Sequence, residues 1–216
     1  MTNKHQVHIA IWSDYVCPFC YLEMPIFHQI RKEFDEVIEE KWYAFELRSD
    51  PVPTLDPESE YLRVTWERAV YPMARMREMT LRLPPVQPRS RKAFEAAKFA
   101  HENGRFEAMN QAIFRTFFEE GRDIGDNTVL LDIGVSVGLD REKLREALDT
   151  GQYTDQVLED EKLAHDLRIT AVPTMLIGKS DQPLKKSVVI TGAQPYKILR
   201  TTIERMIHEK PLETKQ

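Results

Sequence analysis

The sequence predicts an α/β fold in which a central mixed sheet is interrupted by a large, all-helical insertion. Three observations lead to this prediction. A strand pattern, a helical pattern and a second strand pattern follow one another in residues 7–48. About a hundred residues of helical pattern come next, without strand signals between them. Two further strand patterns and a last helical pattern close the chain, so the sheet resumes after the helices.

The first unit consists of two strands and the helix between them. Residues 7–13 are mostly apolar, as in a buried strand, and residues 41–48 are rich in aromatic side chains. Pro18 suits the first turn of the helix, where its missing N–H costs nothing, and Pro25 should kink it. The apolar residues at helical spacing are Leu22, Ile26, Phe27, Ile30 and Phe34. A strand, helix and strand in this order imply a parallel pair.

The middle of the chain predicts a bundle of helices. A proline-punctuated segment, residues 49–57, should carry the chain out of the sheet. Residues 61–83 have a helical pattern broken near Pro72, and residues 154–167 form the last helix of the series. The residues expected to cap or stop the four helices between them are Ser90, Gly104, Gly121, Asp126 or Asn127, Gly138, Asp140 and Gly151.

The sheet resumes with strand patterns in residues 172–178 and 186–192, which a polar turn joins. Pro195 then opens the final helix. The buried face of this helix is predicted to hold Ile198, Leu199, Ile203 and Met206.

Composition limits the classes of function. The chain has 216 residues, 42% of them hydrophobic and 30% charged, which suits one large globular domain or a domain with an insertion. A net charge of -5 provides no basic field for nucleic acid or anionic lipid. Residues 1–6 lack the features of a secretory signal, and no apolar run is long enough to span a membrane. We therefore expect a cytoplasmic protein without nucleic-acid or membrane partners, and the oligomeric state stays open.

The only two cysteines, Cys17 and Cys20, stand three residues apart where the first helix begins. On one helical turn their Cα atoms are about 5 to 6 Å apart, within the range of a disulfide. In the cytoplasm such a pair is more often catalytic or metal-binding than structural. Disulfide exchange needs an attacking thiolate and a second thiol that resolves the mixed disulfide. Cys17 lies at the positive end of the helix dipole, so we expect it to attack and Cys20 to resolve.

The neighbours of this pair suggest further roles. Pro18 and Phe19 lie between the cysteines and should tune thiolate stability and reduction potential. Asp14 is a candidate proton relay to the resolving cysteine, and a turn or capping role explains it equally well. A zinc site would need four ligands, and only His5 and His8 lie upstream without a Cys/His spacing beside the motif. No metal or bound cofactor is predicted.

Four segments of the chain resemble the FrnE-like branch of the DsbA family, in the thioredoxin superfamily. They are residues 12–21, 45–47, 170–174 and 191–195. The order of elements is that of a thioredoxin-like fold interrupted in its middle, and the resemblance spans essentially the whole chain. It implies a thioredoxin-like domain of residues 1–52 and 168–216 and a helical insertion of residues 53–167.

The resemblance also implies a site and an activity. The Val172–Pro173 bond is expected to be cis and to face the cysteines, a state found in about 5–6% of X–Pro bonds. The backbone of Val172 would then be free to pair with an extended polypeptide substrate. The family implies a thiol–disulfide oxidoreductase of the DsbA type, with disulfide isomerisation open to it. Its partners would be protein or small-molecule thiols and disulfides, with glutathione as a candidate co-substrate.

Two alternatives stay open. The first is a glutathione-dependent isomerase or transferase related to 2-hydroxychromene-2-carboxylate isomerase, whose relatives typically have serine where this chain has Cys17. The second is a non-enzymatic module that binds zinc or a peptide and uses the two cysteines structurally.

Overall fold

The computed structural model contains the sheet that the sequence predicts. The structure describes residues 5–208, and the outer ends of the predicted thioredoxin-like domain, residues 1–4 and 209–216, lie outside them. The strands are β1 (Val7–Ser13), β2 (Ile38–Ala44), β3 (Thr174–Lys179) and β4 (Val188–Thr191). They form one sheet in the order β2-β1-β3-β4. β1 pairs with β2 in parallel and with β3 antiparallel, and β3 pairs antiparallel with β4, so the predicted mixed sheet is confirmed.

The helices follow the predicted order. They are α1 (Pro18–Phe34), α2 (Glu60–Thr65), α3 (Tyr71–Met76), α4 (Arg91–Glu102), α5 (Phe106–Phe118), α6 (Asn127–Ser136), α7 (Arg141–Thr150), α8 (Thr154–Asp166) and α9 (Tyr196–His208). A π turn, Trp66–Val70, joins α2 to α3, and a 3-10 turn, Leu184–Lys186, lies between β3 and β4. No helix within the described residues is long and apolar enough to cross a membrane.

β2 begins three residues before the predicted strand and ends four residues before its predicted end. It is an edge strand, so the exposed Glu39 and Lys41 interrupt the apolar pattern that a buried strand would show. The Phe45 amide still donates to the Ser13 carbonyl at 3.1 Å, and the chain then leaves the sheet. The segment 45–47, which the sequence analysis assigned to the strand, therefore lies just past it.

The helical prediction for residues 61–83 was too long. α3 ends at Met76, Glu78 adopts a φ of 54°, and the chain continues without helix as far as α4. Pro72 has no N–H to donate to the carbonyl four residues back, and the π turn accommodates it within one continuous helical segment. The helices from α4 to α8 start within a few residues of the predicted caps.

Helices pack against the sheet at the edge strand β2 and at the inner strand β3. α1 and α9 contact each other, and α9 also packs against β3. α8 packs against β2, where Trp12 of the neighbouring β1 stacks on Tyr43 with ring centroids 4.4 Å apart. The Trp12 indole N–H donates to the carbonyl of Asp160 in α8 at 3.3 Å. A helix of the predicted insertion thus shares the core of the sheet.

Candidate active site

The two cysteines lie at the first turn of α1. Cys17 is the N-cap residue, with extended φ and ψ of -92° and 112°, and Pro18 occupies the first helical position. The Cys17 amide donates to the Asp14 carbonyl at 3.1 Å, and the Cys20 amide donates to the Cys17 carbonyl at 3.1 Å. Both cysteines are free thiols, with Cys17 4% exposed and Cys20 1% exposed. The sequence therefore brings both sulfurs to one helical turn, and it buries both.

The Val172–Pro173 bond is cis, as predicted, and Val172 lies against the first cysteine. The Cys17 thiol donates to the Val172 carbonyl with a sulfur-to-oxygen distance of 3.6 Å. The Pro173 carbonyl in turn accepts the Gly192 amide at 2.8 Å. The segment that contains Val172, 155 positions after Cys17, thus meets the cysteine motif.

The environment of Cys20 favours its protonated form. Burial raises the pKa of the Cys20 thiol well above its usual range, and the neighbouring Cys17 raises this pKa further. Contacts with the Asp14 backbone and the Ser13 side chain act in the opposite direction. Cys20 must therefore lose a firmly held proton before its sulfur can act as a nucleophile.

Asp14 lies at the end of β1, and its side chain is fully buried. Its carboxylate accepts the Leu47 amide at 2.7 Å and the Val16 amide at 3.3 Å. Burial raises the pKa of Asp14 to about 6, with a smaller contribution from the negative charge of Glu46. The side chain therefore fixes a turn and also titrates close to neutral pH, so both roles considered from the sequence remain compatible with its geometry.

A cavity of about 280 Å³ opens in front of the cysteine motif. Cys17, Pro18 and Phe19 line one side of it, together with Val172. α2 and the π turn contribute the opposite wall, where Trp66 is largely buried. Four predicted site residues therefore line one cavity, whereas Cys20, Asp14 and Pro173 are not part of its lining.

A larger cavity, of about 860 Å³, lies along β2 between α4, α5 and α8. Ser13, Tyr15 and Trp42 contribute to its lining, and neither cysteine does. Disulfide exchange requires contact with a sulfur atom. Of the two cavities, the smaller one is therefore the candidate site for disulfide exchange.

Sequence reasoning missed two carboxylates of α8 that hold the end of β2. The Ala44 amide donates to the Asp160 carboxylate at 2.9 Å, and the Glu46 amide donates to the Glu161 carboxylate at 3.1 Å. The next amide along the chain, that of Leu47, donates to the carboxylate of Asp14. Three carboxylates therefore hold this short segment. No local signal could have revealed the two bonds to α8, since 116 and 115 residues separate the partners.

Two basic side chains accompany these carboxylates. Lys98 donates to Asp160 at 2.5 Å, and Arg91 contacts both Glu46 and Glu161. Burial, followed by the charge of Glu46, raises the pKa of Glu161 to about 7. Arg91 thus faces two acids, and the negative charge of Glu46 disfavours ionisation of Glu161.

Residues 5–208 contain no group of three or more histidine, cysteine, aspartate or glutamate side chains arranged to hold a metal ion. His8, which the zinc alternative considered, instead shares a hydrogen bond with the Ser187 hydroxyl at 2.8 Å.

Comparison with known proteins gives a family and a fold. The family model of the DSBA-like thioredoxin domain matches residues 8–204. The uncharacterized protein YwbO of Bacillus subtilis is 37% identical over 181 residues, which cover 82% of this chain and 90% of YwbO.

Solved structures share the whole architecture. A probable DsbA oxidoreductase, SCO1869 from Streptomyces coelicolor, has a TM-score of 0.80 at 24% identity and covers 97% of this chain and 94% of its own. A 2-hydroxychromene-2-carboxylate isomerase has a TM-score of 0.75 at 16% identity, with coverages of 93% and 96%. The cytosolic disulfide reductase DsbM from Pseudomonas aeruginosa, solved with GSH, has a TM-score of 0.68 at 20% identity, with coverages of 91% and 99%. These likenesses confirm the predicted thioredoxin-like fold.

Proposed function

The chain belongs to the DSBA-like thioredoxin domain family, and from this membership we propose that it is a thiol–disulfide oxidoreductase that works through Cys17 and Cys20. One observation supports this proposal most directly. The Cys17 sulfur lies at a helix N-terminus on the wall of a cavity, and Cys20 lies one turn further into the same helix. This is the arrangement that an attacking and a resolving thiol require.

The proposed reaction has two exchange steps. The Cys17 thiolate attacks one sulfur of a substrate disulfide, the substrate S–S bond breaks, and one thiol leaves. Cys20 then loses its proton and attacks the Cys17 sulfur, which releases the second thiol and leaves a Cys17–Cys20 disulfide. The substrate is reduced, and the cysteine pair is oxidised. The reverse sequence oxidises a dithiol substrate, and a mixed disulfide that returns to another substrate thiol gives isomerisation.

Other side chains have proposed supporting roles. Asp14, with its pKa raised to about 6 by burial, would receive the proton of Cys20. Pro18 and Phe19 would tune the cysteine pair from the cavity wall, and Val172 would contact the bound substrate. The redox couple is the cysteine pair itself, so this chemistry needs no bound cofactor.

The comparisons support a setting for this reaction. DsbM is a cytosolic reductase solved with GSH, which favours glutathione or another small thiol as a partner and a cytosolic location for this chain. Protein thiols and disulfides are the other candidate substrates. We assign the redox unit to residues 1–52 and 168–216 and the helical insertion to residues 53–167. From the resemblance of the motif around Cys17 we also infer that the chain belongs to the FrnE-like branch.

A redox titration tests the proposal. The protein is equilibrated in a glutathione or dithiothreitol series, free thiols are alkylated, and the Cys17–Cys20 disulfide is measured by mass. We expect a reversible couple in the native chain and none in Cys17→Ser. Cys20→Ser should instead accumulate a mixed disulfide with glutathione at Cys17. The proposal fails if no reversible couple forms, and stoichiometric zinc would support the binding-module alternative.

A further inference from the structure

The lining of the cavity beside Cys17 includes a charged side chain. Arg48, which follows β2 closely, is the only charged residue among the described residues that line it. The other walls are apolar or carry uncharged polar groups such as those of Thr54, Tyr61 and Gln87. A lone guanidinium on a largely apolar wall is a strong signal for an anionic ligand, since charge attraction is stronger where little water is present.

Among the described residues, no acid forms an ion pair with Arg48. Within residues 5–208, no carboxylate lies within ion-pair distance of its guanidinium. The nearest acid along the chain, Asp50, contacts Arg89 at 3.2 Å instead, and the Asp50 side chain is 84% exposed. The positive charge of Arg48 is therefore available to a bound molecule.

The backbone around Arg48 is held on both sides. The amide of Leu47 donates to the Asp14 carboxylate at 2.7 Å, and the Arg89 guanidinium donates to the Arg48 carbonyl at 2.6 Å. The base of the side chain is therefore fixed relative to the strand that leads to Cys17. A fixed base reduces the entropy that is lost when the guanidinium binds a ligand.

The size of the cavity limits the substrate. Its volume of about 280 Å³ is at the lower end of the range of small-molecule pockets, about 300–1,000 Å³. The Cys17 residue is 4% exposed, so a disulfide on the rigid surface of a folded protein has no direct access to the sulfur. A small disulfide, with a short substituent on each sulfur, fits this space.

We propose that the site selects low-molecular-weight thiols and disulfides that carry an anionic group, and that Arg48 is the residue that recognises this group. The inference rests on the proposed function and narrows its substrate class. The Cys17 thiolate attacks the bound disulfide, and one anionic thiolate leaves. The half of the substrate that remains bound to Cys17 as a mixed disulfide keeps its anionic group at Arg48. Cys20 then attacks the Cys17 sulfur and releases this half as a thiol.

The test compares two aromatic disulfides. The reduced protein reacts either with 5,5′-dithiobis(2-nitrobenzoate), which carries two carboxylates, or with neutral 2,2′-dithiodipyridine. Release of the coloured thiol gives each second-order rate constant. We expect Arg48→Gln to lower the rate with the anionic disulfide about tenfold and the rate with the neutral one less than twofold, because only the first loses an ionic contact.

Arg75→Gln is the matched control, because it removes the same charge from an exposed residue that does not line the cavity. Arg75→Gln should leave the ratio of the two rate constants at its native value. Arg48→Lys should recover part of the ratio that Arg48→Gln loses. An equal effect of Arg48→Gln on both disulfides, no effect on either, or the same effect from Arg75→Gln would overturn the inference.

Native protein alone gives a second measurement if Arg48→Gln does not fold. Raising the salt concentration should slow the reaction with the anionic disulfide and leave the neutral one almost unchanged. Equal salt dependence, or faster reduction of the disulfides of insulin than of the anionic reagent, would contradict the proposed class. Failure of the neutral disulfide to oxidise Cys17 and Cys20 would instead overturn the proposed function itself.

Discussion

Asp14, three residues before Cys17, is a fully buried carboxyl group. Its pKa is raised to about 6, mainly by burial, whereas a carboxyl of the unfolded chain ionises near pH 4. Between these two pH values the folded protein binds a proton that the unfolded chain has lost. The stability associated with protonated Asp14 is therefore complete below about pH 4 and is lost as the pH rises through about 6.

Asp14→Asn should remove this pH dependence. Between pH 4 and pH 7, the free energy of unfolding of the native protein should fall by roughly 3 kcal/mol relative to that of the variant. This difference corresponds to a shift of about two units in the pKa of Asp14. Urea unfolding at several pH values measures the difference. The variant is expected to be less stable at pH 4, because one amide oxygen must serve both Val16 and Leu47. Parallel pH profiles would show that Asp14 does not titrate as described.

The same variant tests the proposed proton relay. If Asp14 receives the proton of Cys20, Asp14→Asn should prolong the life of the mixed disulfide with glutathione about tenfold or more, in the range of general base catalysis. The first attack by Cys17 should change much less, since it does not require this proton. Rapid acid quenching and mass analysis would follow both steps. An equal slowing of both steps would indicate a structural effect instead.

At the scale of elements, α8 determines where β2 ends. Its Asp160 and Glu161 accept amides of residues 44 and 46, so the chain turns away from the sheet at a fixed point. The next residues, Leu47 and Arg48, line the cavity in front of Cys17. A helix of the predicted insertion therefore positions one wall of the candidate active site.

Asp160→Ala should destabilise the protein by about 2 kcal/mol, because it leaves the Ala44 amide without its acceptor and Lys98 without its partner. Asp160→Asn is the matched control, since its amide oxygen can still accept from Ala44. Hydrogen exchange at the Ala44 amide should accelerate only in the alanine variant. Unchanged protection there would contradict the assigned bond.

Local patterns predicted most elements, and their errors occurred where distant contacts decide the outcome. The start of α1 follows from Pro18 and from the apolar spacing behind it, and the structure agrees. The predicted bounds of β2 were wrong for two reasons. Its charged residues are typical of an edge strand and hide its start, and its end is set by carboxylates of the remote helix α8. The cysteines and Val172–Pro173 were found because each lies in a short motif. Asp160 acts through partners that no motif connects to it, and Arg48 stands in no recognisable motif.

At the scale of the whole molecule, one buried ion pair joins three parts of the chain. Glu23 of α1 is fully buried, and both its carboxylate oxygens accept the Gln194 amide at 3.1 Å. Arg77, just after α3, donates to Glu23 at 2.6 Å and to the Gln194 carbonyl at 2.8 Å. The helix that begins at the cysteines, the corner after β4 and the end of α3 thus meet at one charged cluster.

Arg77→Ala should therefore lower the free energy of unfolding by about 3–5 kcal/mol, because it leaves the Glu23 carboxylate buried without its counterion. The double variant Glu23→Gln/Arg77→Met should recover a substantial part of this loss. Urea unfolding of the single and double variants gives the coupling directly. A loss below 1 kcal/mol in Arg77→Ala would show that the pair has little role in holding these parts together.

The order of elements, read along the chain, was sufficient to predict the thioredoxin-like fold. It could not predict the pairing of Glu23 with Arg77, since they are 54 positions apart with β2 between them, and neither stands in a recognisable motif. Such contacts depend on how helices meet in space. They become visible only when the tertiary structure is known.

β2 also lies at the edge of the sheet, where unpaired amides and carbonyls invite another strand to add. Here the Ala44 amide is already bound to Asp160, and the exposed Glu39 and Lys41 place opposite charges along the same edge. An incoming strand would have to displace a carboxylate and bury these charges. The contacts that shape the cavity wall therefore also protect the folded chain against edge-to-edge aggregation.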